Sequence, residues 1–235
     1  MMHAAEGGAG RPLLTAYDWA PDEGRGLVRD MRVRWALEEV GQPYDVRYLH
    51  WGEQKTPEHR RRNPFGQVPS LATDGVEQFE SGSIVLNIAS SWPGLLPDDP
   101  AARRHAIDWI FAALNTIEPV VWDLVMARIL ERGEPWYEQR LPSVRRRLDV
   151  RLRELADYLG DADWLVSDFS AADLLMVQVL RHADAGGALG DHPVLAAYVA
   201  RGMARPAFAR ALAALRAGQT GQRPANWPPT KGEST

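Results

Sequence analysis

Apolar and polar positions follow two different rhythms in the first part of the chain. Residues 12–17 (PLLTAY) and 44–49 (YDVRYL) have the short apolar or alternating pattern of strands. Between them, residues 30–40 carry apolar side chains at three- and four-residue spacing, which predicts a helix that ends at Gly41 before Pro43. The chain therefore begins with a strand, a helix and a second strand.

Two more strands and another helix follow. Residues 68–73 and 76–79 flank Asp74-Gly75, a dipeptide that tolerates the positive φ angles of a two-residue hairpin turn. A helix is predicted from Ser81, and the gap at residues 52–62 has room for a short helix. The predicted order is strand, helix, strand, strand, strand, helix.

The pattern changes at residues 91–100 (SWPGLLPDDP), where three prolines and a glycine predict a linker. Beyond the linker all the periodic segments are helical, and Pro119 predicts a bend or restart near Glu118. The predicted helices cover residues 101–132, 142–159, 171–182, 193–203 and 206–217.

The composition fits two packed domains. The chain has 235 residues, of which 45% are hydrophobic and 25% charged, as in ordinary globular proteins. We predict one domain over residues 11–90 and an all-helical domain over 101–218, with flexible tails at 1–10 and 219–235.

The charge balance and hydropathy argue against two classes of partner. Lys and Arg number 27 against 31 Asp and Glu, so no overall basic field attracts nucleic acid or an anionic membrane surface. No continuous apolar run of about 18 residues predicts a membrane span, and the first ten residues lack a leader pattern. We therefore expect a cytoplasmic protein with neither nucleic acid nor membrane as its partner.

Cysteine is absent, which removes disulfides, thiolate metal sites and mechanisms that use a protein thiol. Any sulfur chemistry must therefore come from a substrate. The six histidines lack the short spacing that brings two imidazoles to one metal, so we predict no metal site.

The run NPFGQVPSL at residues 63–71 carries the first candidate site. A proline at the start of a strand cannot donate to a sheet ladder, so Pro69 predicts an edge. If the Val68-Pro69 bond is cis, the N–H and C=O groups of Val68 face outward and can pair with an extended peptide ligand. The simpler alternative is a proline that only closes a loop.

The run ESGSI at residues 80–84 carries the second candidate site. Glu80 and Ser81 lie where a helix begins, and its unpaired N–H groups and dipole favour a bound carboxylate. Glu80 could meet an ammonium group beside that carboxylate, whereas Ser81 could equally serve only as a helix cap. Together with Val68, these residues suit a small extended peptide.

Both runs resemble the glutathione transferase family, in its Asn-Pro-x-x-x-Val-Pro-x-Leu and Glu-Ser-x-Ala-Ile stretches, with Ser83 in place of the alanine. A third resemblance is the Ser-x-x-Asp capping box at Ser170 and Asp173, before an apolar helix. The resemblance implies an α/β, thioredoxin-like N-terminal domain followed by an all-α bundle.

The resemblance also implies a set of contacts with glutathione as co-substrate. Gln67 and Val68, with Pro69, would hold its glycyl and cysteinyl parts, and Glu80 and Ser81 its γ-glutamyl end. Two further assignments are looser: Lys55 for the glycyl carboxylate, and Asp108 reaching the ligand amine across a homodimer interface.

The group that activates the thiol is where the sequence departs from the family. The segment 17–30 has no Ser or Cys, which leaves Tyr17, Trp19 and Arg25 as candidate donors, with Tyr17 first because it ends the strand. A thiol pKa of about 8.5 falls by two units for about 2.7 kcal/mol, close to one hydrogen bond to a charged group. Tyr17 and Trp19 could equally be packing between the domains.

The sequence thus predicts a glutathione S-transferase acting on an apolar electrophile. Four side chains of the long helix are candidates for the electrophile pocket, although they could also be core: Trp109, Phe111, Trp122 and Met126. Two alternatives stay open. One is a non-catalytic module of the same fold for assembly or regulation, and the other is a glutathione-dependent isomerase or dehalogenase.

Overall fold

A computed structural model describes residues 10–225. The predicted fold class is confirmed: a small sheet with helices is followed by a helical domain. The predicted tails at 1–10 and 219–235 lie largely outside the described residues. Residues 219–225 are described, and there the Gly221 N–H donates to the carbonyl of Asp18 at 2.9 Å.

The sheet has four strands in the order β2-β1-β3-β4. β1 pairs in parallel with β2, and the other two pairs are antiparallel. The predicted hairpin turn is confirmed, since Asp74 and Gly75 have φ of 51° and 79°. The strands are β1 (Leu13–Tyr17), β2 (Asp45–Leu49), β3 (Ser70–Thr73) and β4 (Val76–Phe79).

Helices of the first domain connect these strands. They are α1 (Asp30–Glu39), α2 (Pro57–Arg60), which follows a 3-10 turn at Glu53–Lys55, and α3 (Ser81–Ser91). α1 packs against α3 and buries Trp35 completely. It ends as predicted, because Gly41 adopts a φ of 66° that other residues rarely adopt.

The second domain is built from helices throughout. Its long first helix restarts at Glu118 as predicted, because Pro119 has no N–H for the α-helical bond to Asn115 and a π turn spans Ala113–Ile117. The helices are α4 (Pro100–Ala112), α5 (Glu118–Leu130), α6 (Tyr137–Leu159), α7 (Ala171–Ala185), α8 (Pro193–Met203) and α9 (Pro206–Gly218).

The predicted start of α6 at Pro142 is wrong, because the helix already begins at Tyr137. Tyr137 and Leu141 are buried and extend the apolar stripe of the helix toward its N-terminus. Pro142 is exposed, so the helix loses one hydrogen bond there while its buried face continues. Packing therefore outweighs the local stop signal.

The stretch Pro100–Leu130 is long and apolar enough by length and composition to cross a membrane, with a mean hydropathy of 1.4 in its best window. The sequence pattern predicted no such span. In the fold this stretch packs against α6 and α7, and it buries Ile110, Val121 and Leu124. Part of its apolar character is thus used in the helical core, whereas Phe111, Ile129 and Leu130 are exposed.

The predicted capping box at the start of α7 is confirmed. The Asp173 carboxylate accepts from the Ser170 N–H at 2.9 Å, while the Ser170 side chain caps the third helical residue. Asp173 also accepts from the Leu165 N–H and the Tyr198 hydroxyl, each at 2.9 Å. One buried carboxylate therefore fixes the entry into α7 and joins it to α8.

The two domains meet along α1, which packs against α7 and α9. At its C-terminal end Glu39 accepts two hydrogen bonds from Arg205, at 2.6 and 2.9 Å, and Glu38 pairs with Arg210 at 2.8 Å. The edge of the Trp35 ring meets Phe208 across the same interface. The helical domain thereby holds α1 at a fixed position.

A close approach between α3 and the π turn makes Gly82 necessary. A Cβ atom on Gly82 would lie 2.2 Å from Cδ1 of Leu114, so an alanine there forces the leucine to move. We expect Gly82→Ala to lower the free energy of unfolding by about 1–3 kcal/mol, measured by urea denaturation.

Ser83→Ala, at the next and exposed position of α3, is the matched control and should stay within about 0.5 kcal/mol of wild type. Adding Leu114→Ala to Gly82→Ala should remove the overpacking, so the two changes should be non-additive. Wild-type stability of Gly82→Ala would disprove this account of the contact.

Candidate active site

The two candidate runs meet at one end of the β3–β4 hairpin. Ser70 pairs with Phe79 at the end of the ladder, and the same register continued by two residues sets Val68 opposite Ser81. The Val68-Pro69 bond is cis, as the sequence analysis supposed for an edge that faces a ligand. Register alone therefore brings the two runs together.

Val68 is free to bind an extended ligand. Among the described residues, its backbone N–H and C=O make no hydrogen bond. Just before it, the Gln67 carbonyl lies 2.8 Å from Nε2 of buried His59, while the Gln67 side chain is exposed. Lys55 Nζ donates to the carbonyls of Phe65 and Gly66, at 3.2 and 2.9 Å, and so lies next to Gln67.

The start of α3 leaves its first amide groups without a side-chain cap. Glu80, the residue before the helix, is exposed and has a φ of 67° and a ψ of 111°, a backbone conformation that costs a non-glycine residue about 1–3 kcal/mol. Such strain is concentrated at functional sites. Its carboxylate makes no hydrogen bond or ion pair within residues 10–225.

Ser81 does not cap its helix but is held from below by α1. Its Oγ accepts from Nη1 of Arg32 at 3.2 Å, and both side chains are buried. Arg32 also donates to Glu118 of α5 at 2.8 Å. One guanidinium group therefore connects α1, α3 and the helical domain directly beneath the candidate ligand site.

Glu118 gathers further partners where α5 meets the N-terminal end of α1. Arg29, which precedes α1, donates to its Oε1 at 3.0 Å, and Trp122 Nε1 donates to the same oxygen at 2.8 Å. The Arg29 guanidinium also lies 5.3 Å from the centre of the Trp122 ring, and its side chain is 41% exposed. Arg29 is thus a fixed cation that still faces solvent.

The charge state of Glu118 follows from these contacts. Burial alone would raise its pKa, but Arg32, Arg29 and Trp122 together lower the pKa to about 2. The carboxylate is therefore ionised throughout the physiological range and neutralises one of the two arginines. The group of Arg29, Arg32 and Glu118 therefore keeps one net positive charge.

The segment between β1 and α1 is held from both sides. Buried Asp22 accepts from the N–H groups of Gly24 and Leu27, at 3.2 and 2.6 Å. Three successive carbonyls of the same segment accept hydrogen bonds from the helical domain. Arg216 donates to the carbonyl of Gly24, and Arg181 donates to the carbonyls of Arg25 and Gly26. We call residues 24–26 with these two arginines the carbonyl clamp.

The three predicted thiol donors lie in different surroundings. The Tyr17 ring packs 5.3 Å from that of Trp51, and burial and nearby Asp30 raise the pKa of Tyr17 to about 12, so its hydroxyl stays neutral. Arg25 is exposed and donates from Nε to the Asp22 carbonyl at 2.9 Å. No hydrogen bond or ion pair among residues 10–225 joins Tyr17 or Arg25 to the start of α3.

The third donor, Trp19, is half-buried, and its role stays a prediction. Sequence reasoning missed Arg29 and Arg32, the arginines that the fold brings to Glu118. A signal was present, because Arg32 and Arg34 alternate with the apolar residues Met31, Val33 and Trp35 in the first half of α1. Both are buried, and an arginine is rarely buried without a partner.

The four candidates for the electrophile pocket divide between α4, which carries Trp109 and Phe111, and α5, where Met126 lies one turn after Trp122. Trp109 packs 4.4 Å from Tyr158 of α6 and donates to its hydroxyl, and Phe111 is 54% exposed on α4. Trp122 contacts Glu118 and Arg29, and its ring lies 5.1 Å from that of His182. Desolvation and the charge of Arg32 lower the pKa of His182 to about 4, so this imidazole is neutral at pH 7.

Within the described part of the chain, no group of three His, Asp or Glu side chains is arranged to hold a metal ion.

The Arg32–Glu118 pair gives a pH-dependent prediction. Because the pKa of Glu118 lies below its usual 4.5, the pair stabilises the fold fully above about pH 5 and is lost as the pH falls towards 2. Glu118→Gln leaves Arg32 buried without a counter-charge, and we expect a loss of about 3 kcal/mol at pH 7 by urea denaturation.

The difference between wild type and Glu118→Gln should stay constant from pH 8 to about pH 5 and shrink at lower pH. Glu134→Gln, at an exposed carboxylate, controls for the change in net charge. A difference that does not vary down to about pH 3 would contradict the assignment of a low pKa to Glu118.

Comparison with known proteins supports what the fold and the site indicate. The N-terminal domain of glutathione S-transferases matches residues 23–90, and the C-terminal domain matches residues 105–206. Glutathione S-transferase 4 of Zea mays is 30% identical over 176 residues, which cover 69% of this chain and 74% of that protein.

Solved structures show the same architecture. A glutathione transferase from Burkholderia graminis, solved with two glutathione molecules per subunit, has a TM-score of 0.75 at 26% identity and covers 86% of this chain and 88% of its own. Ure2p in complex with glutathione has a TM-score of 0.76 at 23% identity, with 88% and 95% covered. With both domains matched in order over most of its length, the chain belongs to the glutathione transferase family.

Proposed function

We propose that this protein is an active glutathione S-transferase, which binds glutathione and activates its thiol for attack on an electrophilic small molecule. The observation that carries the proposal is a set of three features that are connected through Arg32, Glu118 and the hairpin register. These are the unbonded backbone of Val68, the uncapped start of α3 and the partly exposed cation of Arg29.

The peptide part of glutathione would follow the hairpin end. Val68 would pair with the cysteinyl backbone, which is bonding by strand addition. The γ-glutamyl carboxylate would sit on the N–H groups at the start of α3, with its ammonium on the unpaired Glu80. Gln67 and Lys55, on the loop before Pro69, would meet the glycyl end.

Activation of the thiol then needs one donor for the thiolate. Lowering its pKa from about 8.5 by two units takes about 2.7 kcal/mol, which one charge-assisted hydrogen bond supplies. Arg29 is our first choice, since its guanidinium is partly exposed and is already oriented by Glu118 and Trp122. Tyr17, neutral at all physiological pH values, would be a weaker donor.

In the reaction, the thiol proton leaves to solvent, the sulfur forms a bond to the electrophilic carbon, and the bond from that carbon to its leaving group breaks, so that an aryl halide releases halide. The Trp122 ring and the neutral His182 imidazole, which lie 5.1 Å apart, would offer an apolar wall for that second substrate. Proximity in the joint site supplies much of the rate enhancement.

We also infer a two-fold homodimer, as the family resemblance implies. Asp108 on α4, the residue suggested to reach across the interface, is exposed, and so is Phe65 beside the glutathione loop, at 63%. Light scattering should give a mass of two chains, and a monomer at micromolar concentration would contradict the inference.

The decisive test is calorimetric titration with glutathione, followed by conjugation of an aryl halide. Wild type should bind at micromolar to millimolar glutathione, and Glu80→Gln should weaken binding about tenfold by removing the ammonium partner. Arg29→Gln should retain binding but raise the pKa of the bound thiol, read from thiolate absorbance, by about one unit or more.

Tyr17→Phe and Arg25→Gln rank the other donors by the same absorbance. No heat at millimolar glutathione would overturn the proposal. Binding without turnover would favour the non-catalytic module, which the missing Ser or Cys before α1 also suggests. Turnover that consumes no glutathione would indicate an isomerase instead.

A further inference from the structure

A cleft that we call the arginine cleft lies in the helical domain, between the end of α5 and the start of α6. It has a volume of about 470 Å³, within the range of small-molecule sites, and its walls belong to the helical domain alone. Six described residues line it: Arg128, Arg132, Tyr137, Glu138, Leu141 and Arg145. Three guanidinium groups thus face one carboxylate.

In the described part of the chain, two of the three arginines that line this cleft lack the ion-pair partners that Arg140 and Arg147 have nearby. On α6, which also carries Arg145, both Arg140 and Arg147 form ion pairs with Asp123. Arg140 forms another with Glu131 at 2.7 Å. Within residues 10–225, by contrast, Arg132 and Arg145 make no side-chain hydrogen bond or ion pair. The nearby carboxylates are therefore used elsewhere, and the cleft keeps an excess of positive charge.

Arg128 gives the cleft a fixed wall. Its Nη1 donates to the Gly186 carbonyl after α7, and a Cβ on Gly186 would lie 2.8 Å from that nitrogen. The guanidinium is thereby held in place by a backbone group, which leaves its charge uncompensated. An arginine fixed in this way is suited to bind an oxyanion with little loss of side-chain entropy.

Tyr137 adds a neutral donor. The residue is 9% exposed, and within the described chain its hydroxyl has no hydrogen-bond partner, although it is not sealed from solvent. Three guanidinium groups and one hydroxyl match the several terminal oxygens of a phosphate group better than the two oxygens of a carboxylate.

An adjoining cleft of about 450 Å³ shares Arg128 and Arg145 with the arginine cleft and is also lined by Arg146. Its wall includes the apolar side chains of Leu124, Leu148 and Leu152. It also contains Asp191 and Asp149, and Asp149 is already paired with Arg153 at 2.7 Å and with His192 at 3.2 Å. This cleft offers room for an organic group attached to the anion.

We propose that the arginine cleft binds a phosphate monoester. The phosphate would lie on Arg128, Arg132, Arg145 and Tyr137, and its organic part would extend toward the adjoining cleft. The site is independent of the proposed conjugation chemistry, because none of these residues belongs to the glutathione site.

The test is calorimetric titration of the full chain with phenyl phosphate at low ionic strength and saturating glutathione. We expect saturable binding that Arg132→Gln and Arg145→Gln each weaken about tenfold or more. Arg104→Gln, at an exposed arginine of α4 that also lacks an ion pair among the described residues, removes the same charge elsewhere and should leave the affinity unchanged.

Inorganic phosphate and succinate separate the contributions. Phosphate alone should bind more weakly than phenyl phosphate, and succinate should bind more weakly than both. The proposal is overturned if binding does not saturate by about 10 mM. It is also overturned if Arg104→Gln weakens binding as much as the cleft variants, if glutathione competes, or if succinate binds best. Circular dichroism confirms that each variant is folded.

Discussion

The structure depends on one buried ion pair between the domains, Arg32 with Glu118. Neither charge could be buried alone without a penalty of several kcal/mol, so each domain provides what the other needs. Because the same guanidinium supports Ser81, the start of α3 is placed by a residue of the helical domain acting through α1. The candidate ligand site and the domain interface therefore share one ion pair.

The fold was predictable because its signals are local. Strand alternation, the Asp74-Gly75 turn, the Gly41 stop and the Ser170–Asp173 capping box each act over a few residues, and the structure contains all of them. Pro142 shows the limit of local reading. Its stop signal was overridden by the buried stripe that begins at Tyr137, which is a tertiary effect.

The site was predictable only in part, for a related reason. Val68 and Ser81 could be paired from sequence because a hairpin register connects them. Arg29 and Arg32 could not, since their partner Glu118 is more than 80 residues away and lies on a helix whose restart controls its direction. Arginines placed between core-type apolar residues signal that a partner exists, but not where it lies.

The carbonyl clamp has a consequence for how this protein can be recombined with its relatives. The shape of a segment that belongs to the first domain is encoded in Arg181 and Arg216 of the second. Consider a hybrid in which the helical domain of a relative replaces this one. The segment before α1 would then lose its hydrogen bonds without a change in its own sequence, unless the incoming domain carried both arginines.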